Sequence, residues 1–413
     1  MVREKRPYCG SVCIVCSMLV IAFLFAAPDA AAQRMKLETT RVMPRSQESL
    51  NSTLAPYLEK YGLPAIGAAV VKDGRIIAMG AAGTRRAGQN IPVTTGDRFH
   101  LGSDTMAMTA LIAAMYVEEG KLRWDSTVEG IFPELKKVIT PGMGSITMEQ
   151  LLSHTSGMPG DDEPFFSRLI AESLSRENDN LSDTRYWMLS KWVSQPIAAA
   201  PRKRFACSDM GYIMAGAMLE RIAGKSWEEL VIEKVFNPLK LRSAGLGPQS
   251  TLGMTDAPLP HRVVDGKVKP MLSGVFADKP LVFGPAGTAH MSLQDFTRWA
   301  AWNAGRGKRG PHLIRPETFV KLTTPVIEVP AGKGAVPGMP LGGRYALGWG
   351  EAQFAWANEP LVFHSGSNGM NLAHIFLQHR NDFAMVLVTN MAGKKAEEAF
   401  GALAEELYRR YGK

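Results

Sequence analysis

Cysteine is nearly absent from this chain of 413 residues once its first sixteen positions are passed. Cys9, Cys13 and Cys16 belong to the N-terminal segment, and Cys207 is the only other cysteine. A protein cleaved after that segment could form no internal disulfide, so its stability would have to come from a buried core. A chain of this length can bury a large core.

Long basic runs are also missing, although the formal net charge is +8 and the sequence pI is near 9.2. The short PRKRF stretch at 201–205 is the densest basic cluster, and aromatic residues do not alternate with it. We therefore expect no nucleic acid as a partner. Nucleotide-binding glycine motifs and metal-ligand spacings are absent too, so we expect neither a cofactor nor a metal.

The N-terminal 32 residues have the pattern of a secretory signal peptide. Three basic residues precede an apolar core at 10–27, and the alanines at 30–32 fit a cleavage site before Gln33. A retained membrane anchor is the alternative, because the apolar stretch is long. We expect a secreted or periplasmic protein with no stable membrane span after cleavage.

Strand and helix patterns are divided along the chain. A hairpin pattern around a KDGR turn covers 66–86, and four strand candidates follow late in the chain, at 345–350, 361–366, 371–378 and 383–390. We expect an α+β fold with an antiparallel β-sheet built from N- and C-terminal segments, about 50–98 and 340–413, and flanked by helices. A mostly helical middle region should cover about 99–290.

Four polar motifs follow one another in order: GSDTM (102–106), SHTSG (153–157), FACSDMGY (205–212) and FHSGSNG (363–369). With the phrase YVEEGKL (116–122), they resemble the serine β-lactamase and penicillin-binding-protein superfamily. The resemblance is closest to the branch of class C β-lactamases, D-alanyl-D-alanine carboxypeptidases and related esterases, and it covers about 50–410. It implies that residues 33–413 form one β-lactamase-related domain.

That superfamily carries Ser-x-x-Lys at the start of a helix, where a spacing of three places both side chains on one face. The lysine accepts the serine proton, and the serine attacks a carbonyl to form an acyl-enzyme. A Tyr-x-Asn element supplies a second proton carrier. A Lys/His-x-Gly strand fixes the substrate and offers a backbone N–H to the oxyanion hole.

The resemblance implies that the part of this machinery that binds the reacting carbonyl is kept. Ser103 matches the nucleophile, and His364, Ser365 and Gly366 match the His-x-Gly strand. The backbone N–H groups of Ser103 and Ser367 match the oxyanion hole. Among these, His364 is either a catalytic residue that faces the cleft or a structural one.

The proton-handling part is replaced. Met106, Cys207 and Asp209 stand where the superfamily has Lys, Tyr and Asn. Methionine accepts no proton, and a serine without a base is a poor nucleophile. Two interpretations of Asp209 stay open. With no lysine nearby, burial would raise the pKa of its carboxyl and make it a base, or it would bond only to backbone. We expect Cys207 to be an inert, buried thiol.

Other polar and aromatic residues near these motifs are expected to be structural. His154 should cap a turn, His100 should point away from Ser103, and the aromatic residues of 345–350 should pack.

Three functions remain open at this stage. The first is a weak serine hydrolase acting on an ester, amide or β-lactam-like substrate, with little or no penicillin hydrolysis. The second is a pseudo-enzyme that binds peptide-, cell-wall- or ester-like ligands in the same cleft. The third is a purely structural envelope protein. We expect a monomer with a small-molecule or peptide-like ligand.

Overall fold

The computed structural model describes residues 47–176, 180–272, 277–332, 338–340 and 342–413, all within a compact unit that spans Arg45–Lys413. The expected signal peptide at 1–32 lies outside the described residues. Among the helices of the described ranges, none has the length and apolar character needed to cross a membrane.

Fourteen strands are found in the described residues: β1 (Glu48–Ser49), β2 (Ala65–Lys72), β3 (Arg75–Gly83), β4 (Arg98–His100), β5 (Gly245–Leu246), β6 (His261–Val264), β7 (Lys267–Pro270), β8 (Ala289–Ser292), β9 (Ile327–Val329), β10 (Gly343–Tyr345), β11 (Gly350–Ala352), β12 (Leu361–Ser367), β13 (Leu372–Gln378) and β14 (Phe383–Thr389). Nine of them form one sheet in the order β1-β3-β2-β14-β13-β12-β11-β10-β9. Only β1 and β3 pair in parallel within it. The predicted antiparallel sheet from both ends of the chain is therefore confirmed.

Twelve α-helices accompany the strands in the described residues: α1 (Asn51–Tyr61), α2 (Thr105–Glu118), α3 (Val128–Ile131), α4 (Met148–Leu152), α5 (Pro164–Leu174), α6 (Leu181–Trp192), α7 (Asp209–Ala223), α8 (Trp227–Val231), α9 (Gly284–Gly287), α10 (Leu293–Ala304), α11 (Pro316–Thr323) and α12 (Lys394–Tyr411). Most of them fall between the two strand-rich segments, which confirms the predicted helical middle region. A 3-10 turn, Gly102–Asp104, leads directly into α2.

Helices cover both faces of the central strands. Ile375 and Val386 pack in the apolar cluster that contains α10, while their neighbours Phe376 and Met385 pack in the cluster that contains α1 and α12. Alternate residues of a strand point to opposite faces. Strands β2, β13 and β14 can therefore be apolar at nearly every position, as their sequences are.

The predicted strand at 345–350 is wrong in its centre. β10 ends at Tyr345 and β11 begins at Gly350, with a turn closed by a 2.7 Å hydrogen bond from Ala346 N–H to Trp349 O. Gly348 has φ 77°, and a Cβ there would lie 3.0 Å from the Met106 carbonyl oxygen. Glycine is required at this turn, because the turn packs against the start of α2.

Helix α2 lies inside the molecule rather than on its surface. Nearly all of its residues are buried, against α7, α8, α9 and α11. The 3-10 turn before it contacts β12 and α9. The start of this buried helix is therefore held between the sheet and the helical region, where the sequence motifs converge.

Candidate active site

Ser103 lies in the 3-10 turn between β4 and α2, against strand β12. Gly102 has φ 52°, and a side chain there would collide with the backbone nitrogen of Ser367. A Cβ on Gly366 would lie 2.8 Å from the backbone nitrogen of Ser103. The two glycines thus let turn and strand approach closely, which brings together the backbone around Ser103 and Ser367. An oxyanion hole built from two backbone N–H groups needs such an approach.

A buried histidine supports the turn from behind. His100 Nδ1 accepts a 3.0 Å hydrogen bond from Gly102 N–H, and its Nε2 lies 2.9 Å from Asp278 Oδ1. Burial acts to raise the pKa of Asp278, but the charge and hydrogen bond of His100, together with Asn368, hold that pKa below its usual value. His100 is fully buried and is not one of the residues that line the cleft beside Ser103. Its position therefore indicates support of the turn.

A cleft of about 320 Å³ opens beside Ser103. The described residues that line it come from the 3-10 turn and the start of α2, the loops after α4 and before α7, and strands β9 to β12 with the residues just before β10: Ser103, Met106, His154, Phe205, Cys207, Val329, Pro340, Gly342, Gly343, Arg344, Tyr345, Gly350, Glu351, Phe363, His364 and Ser365. Of the residues predicted from sequence, the cleft brings Ser103, Met106, Cys207, His364 and Ser365 together. Asp209 is not among its lining residues.

Met106 occupies the position expected for the lysine, one helical turn after Ser103. It is 1% exposed and belongs to the main apolar core, yet it contributes to the cleft wall. An unbranched thioether can fill the volume of a lysine stem without its charge. The packing of α2 is therefore maintained while the base is lost.

Asp209 does not have the surroundings predicted for it. Its carboxylate lies 2.6 Å from Lys279 Nζ, and its backbone N–H donates to the carboxylate of Asp161. Lys279 comes 70 residues later in the chain, so the motif alone gave no sign of it. The expectation of a carboxylate without a cation is wrong, and with it the reason for treating Asp209 as a base. Burial and the charge of Asp209 raise the pKa of Asp161 to about 6.

Cys207 lies beside a neutral histidine. Its Sγ is 4.0 Å from His154 Nε2, while His154 Nδ1 accepts a 3.1 Å hydrogen bond from Ser208 N–H. Burial lowers the pKa of His154 to about 3. Desolvation by the cleft walls, followed by the nearby carboxylates of Asp209 and Asp161, raises the pKa of the thiol to about 12. Over the whole residue Cys207 is exposed, so the expectation of a buried residue is wrong, although its sulfur is desolvated by the cleft walls; its inertness stays a prediction.

His154 shows why position in sequence was a poor guide to the cleft. It has φ 57° and bonds to backbone, as expected of a residue that holds a turn. Its ring nevertheless lines the cleft and lies 5.0 Å, between ring centres, from Tyr345. Both rings were expected to be structural only, and nothing in a local motif reports which face of a turn meets a cleft.

His364 is held between two groups that sequence reasoning missed. Its Nδ1 lies 3.2 Å from Asp104 Oδ1, and its Nε2 lies 3.0 Å from the Tyr345 hydroxyl. Burial raises the pKa of Asp104, against the opposing effect of His364. Burial also raises the pKa of Tyr345 well above its ordinary value. An acidic residue directly after the candidate nucleophile was the available signal for Asp104.

Ser365 contributes differently from what the motif implies. Its Oγ lies 2.8 Å from His374 Nε2, which in turn lies 3.4 Å from Glu397 Oε2. These partners belong to the side of the sheet that α12 covers. The hydroxyl of Ser365 is therefore engaged away from Ser103.

The charges of the cleft are already paired. Among its described lining residues Arg344 is the only lysine or arginine, and it forms an ion pair with Glu351. Most other walls are apolar or aromatic, including Met106, Phe205 and Phe363. Within the part of the chain that the structure describes, no three His, Cys, Asp or Glu residues cluster as a metal site would require.

Comparisons with known proteins agree with this architecture. The model of the Beta-lactamase family matches residues 50–408. Protein flp of Staphylococcus aureus (strain MW2) is 21% identical over 349 residues, which cover 84% of this chain but 63% of that protein. Penicillin-binding protein 4 of Amycolatopsis lactamdurans is 26% identical over 356 residues, 84% of this chain and 86% of that protein.

A solved structure extends the comparison to three dimensions. The octameric penicillin-binding protein homologue from Pyrococcus abyssi superposes with a TM-score of 0.67 at 23% identity, over 86% of this chain and 76% of that one. At this identity the likeness shows the fold. This chain spans less than two thirds of the length of the Staphylococcus aureus relative.

Proposed function

This chain belongs to the Beta-lactamase family, and we propose that it is a serine hydrolase whose nucleophile is Ser103. The observation that carries the proposal is the close approach of the Ser103 turn to β12 at Gly102 and Gly366, beside an open cleft. Ser103 Oγ would attack an ester or amide carbonyl, and the backbone N–H groups of Ser103 and Ser367 would stabilise the oxyanion. Water would then release the acyl group.

We expect this hydrolase to be slow. Met106 cannot accept the serine proton, and general-base assistance contributes roughly 10²–10⁴-fold to catalysis. The neutral His154 and the un-ionised Cys207 do not replace the lysine either, because neither holds a proton acceptor of suitable pKa against Ser103.

The cleft favours a small, uncharged and largely apolar ester or amide. Its single described arginine is neutralised by Glu351, so no free cation among the described lining residues meets a carboxylate. Penicillins and D-alanyl-D-alanine peptides both carry such a carboxylate. We therefore expect little penicillin hydrolysis, and turnover within tenfold of an ordinary class C enzyme would contradict this.

Activity should take place outside the cytoplasm. The apolar stretch at 10–27 and the alanines at 30–32 support export and cleavage before Gln33. The intact mass of the protein, recovered from a host that can cleave signal peptides, would test this cleavage. A mass that includes residues 1–32 would argue for the membrane-anchor alternative.

Steady-state hydrolysis of p-nitrophenyl butyrate tests the proposed function. The wild-type chain should hydrolyse it slowly, and Ser103→Ala should abolish that activity. Ser145→Ala, which removes a surface hydroxyl, is the matched control and should retain it. Equal activity of the wild type and Ser103→Ala would overturn the proposal.

Ligand binding without turnover is a second candidate function. The specific observation in its favour is that Met106, Cys207 and His154 surround the cleft without an ionised proton carrier. No ester turnover, combined with a rise in Tm on adding benzylpenicillin or a D-alanyl-D-alanine peptide, would support this alternative.

A further inference from the structure

We infer that Asp104, His364 and Tyr345 form a proton relay that serves Ser103 in place of the absent lysine. This inference rests on the proposed function. It assigns a task to two residues, Asp104 and Tyr345, that no part of the sequence motif marks as catalytic. Asp104 would be a positioning residue, because it acts through His364.

The surroundings of His364 favour one tautomer. Asp104 Oδ1 lies 3.2 Å from Nδ1, an ion-pair contact without hydrogen-bond geometry, and a proton on Nδ1 is the arrangement that this carboxyl group favours. The opposite ring nitrogen, Nε2, then has a free lone pair, and it lies 3.0 Å from the Tyr345 hydroxyl, which donates to it. An imidazole so oriented can take up a proton at Nε2.

Asp104 is placed to stabilise the resulting imidazolium. Its side chain is fully buried, and no hydrogen bond to either carboxylate oxygen is found in the described residues, only the 3.2 Å ion-pair contact with His364 Nδ1. A buried carboxylate with a single partner is costly to maintain as a structural group. The attraction between the Asp104 carboxylate and His364 becomes stronger once the imidazole is charged. Asp104 therefore helps His364 to accept a proton.

Tyr345 supplies a hydroxyl where the superfamily pattern has lost one. Its ring lines the cleft together with Cys207, which stands at the position of the missing tyrosine. Contacts with His154 and Phe205, at ring-centre distances of 5.0 and 5.3 Å, hold it there. The turn after β10, packed against α2, fixes its backbone.

The step balances in protons and electrons. Ser103 Oγ–H gives its proton to the Tyr345 oxygen as the Tyr345 proton passes to His364 Nε2. Ser103 Oγ forms a bond to the carbonyl carbon, and the carbonyl π electrons move to its oxygen. Collapse of that oxyanion breaks the bond to the leaving group, which takes a proton back from the relay. Water repeats the sequence to release the acid.

Single-turnover acylation by p-nitrophenyl butyrate, measured across pH, tests the relay. His364→Ala should lower the acylation rate by about 100-fold and Tyr345→Phe by about tenfold. Tyr186→Phe is the matched control, because it removes a hydroxyl that bonds to Glu134 and does not line the cleft. It should change the rate less than about twofold if it folds.

The role of Asp104 has its own readout. Because Asp104 acts through His364 and does not line the cleft, Asp104→Asn should lower the acylation rate while leaving KM for the ester nearly unchanged. Added imidazole should partly restore acylation of His364→Ala, which loss of structure would not allow. Melting curves identify any variant that fails to fold.

The outcomes separate this inference from the function beneath it. No acylation of Ser103 in the wild type would overturn the proposed function. Acylation of the wild type that is unchanged in His364→Ala and Tyr345→Phe would overturn the relay alone. An unchanged acylation rate in Asp104→Asn would remove Asp104 from the relay.

Discussion

At position 106 a thioether stands where the Ser-x-x-Lys pattern of the superfamily has an amine, and the helix that carries it remains packed in the core. The methionine cannot accept a proton, so the base is lost. It fills the space of a lysine stem, so the packing of the helix is preserved. We assign the lost function to His364 and its two partners, Asp104 and Tyr345.

Restoring the lysine alone should not restore a conventional enzyme. Met106→Lys would place an ammonium at a position that is 1% exposed, beside the uncharged Cys207, while Asp209 is held by Lys279. Burial would lower the pKa of the new lysine and the stability of the fold. We expect a lower Tm and less than about a tenfold gain in ester hydrolysis.

Met106→Leu serves as the control for that substitution. It conserves volume and should cost less than about 1.5 kcal/mol of the free energy of unfolding. Strong hydrolysis by Met106→Lys, approaching that of a conventional family enzyme, would show that the lysine was the only missing part.

The individual residues of the site divide into those that a sequence can reveal and those that it cannot. Ser103 and His364 stand in motifs with local spacing, so their meeting in one cleft was predictable. Lys279 and Tyr345 reach the site from distant segments, and only the folded chain brings them near Asp209 and His364. Burial of Asp104 likewise depends on β12 and α9 packing around the turn.

At the scale of elements, the site depends on how closely one strand approaches one turn. A Cβ on Gly366 would lie 2.7 Å from the backbone nitrogen of Asp104 and would collide with the Leu101 carbonyl oxygen. Gly366→Ala should therefore push β12 away from the turn, and we expect loss of acylation of Ser103 together with a fall in Tm.

Gly96→Ala is the control for that prediction. The nearest atom to its added Cβ would be 3.6 Å away, an ordinary contact, so acylation should be unchanged. Normal acylation in Gly366→Ala would mean that the approach of strand and turn is not required.

Strand pairing was easier to predict than strand ends. The alternation and short connections of 361–390 identified three neighbouring strands, β12, β13 and β14. The error at 345–350 arose because apolar residues in a tight turn and in a strand give the same pattern when α2 covers them. The glycine at position 348 was the one local sign of a turn in the sequence, and it adopts the left-handed conformation in the structure.

For the whole molecule, buried neutral histidines predict acid sensitivity. Burial lowers the pKa of His154 to about 3 and of His261 and His290 to about 4. Each contributes stability that is fully present above the unfolded pKa near 6.5 and is lost as the pH falls towards the folded value. By pH 5 the loss should be on the order of 1–2 kcal/mol for each.

Asp161 opposes this trend in part. Burial raises its pKa to about 6, so the cost of keeping its charged carboxylate buried at neutral pH disappears as the pH falls and the carboxyl is protonated. We expect a net fall in Tm of several degrees from pH 7.5 to pH 5. His261→Gln should weaken that dependence, whereas His312→Gln, at an exposed position, should leave it unchanged. A Tm that is constant over this range would contradict the argument.

The overall architecture could be predicted because each strand and helix leaves its own local pattern in the sequence. Those patterns place strands at both ends of the chain and helices between them. The chemistry did not follow in the same way, since the paired state of Asp209 and the partners of His364 depend on contacts between distant segments. Family membership therefore predicts the fold around the site better than it predicts which residues transfer the proton.

Locating the acyl group tests the central claim most directly. After brief exposure to p-nitrophenyl butyrate and acid quenching, trypsin should release the peptide 99–121, which contains Ser103. Tandem mass spectrometry should find the butyryl group on Ser103, and the modification should be missing from Ser103→Ala. A butyryl group on Cys207 instead, or an unmodified chain while the ester is consumed, would contradict the account.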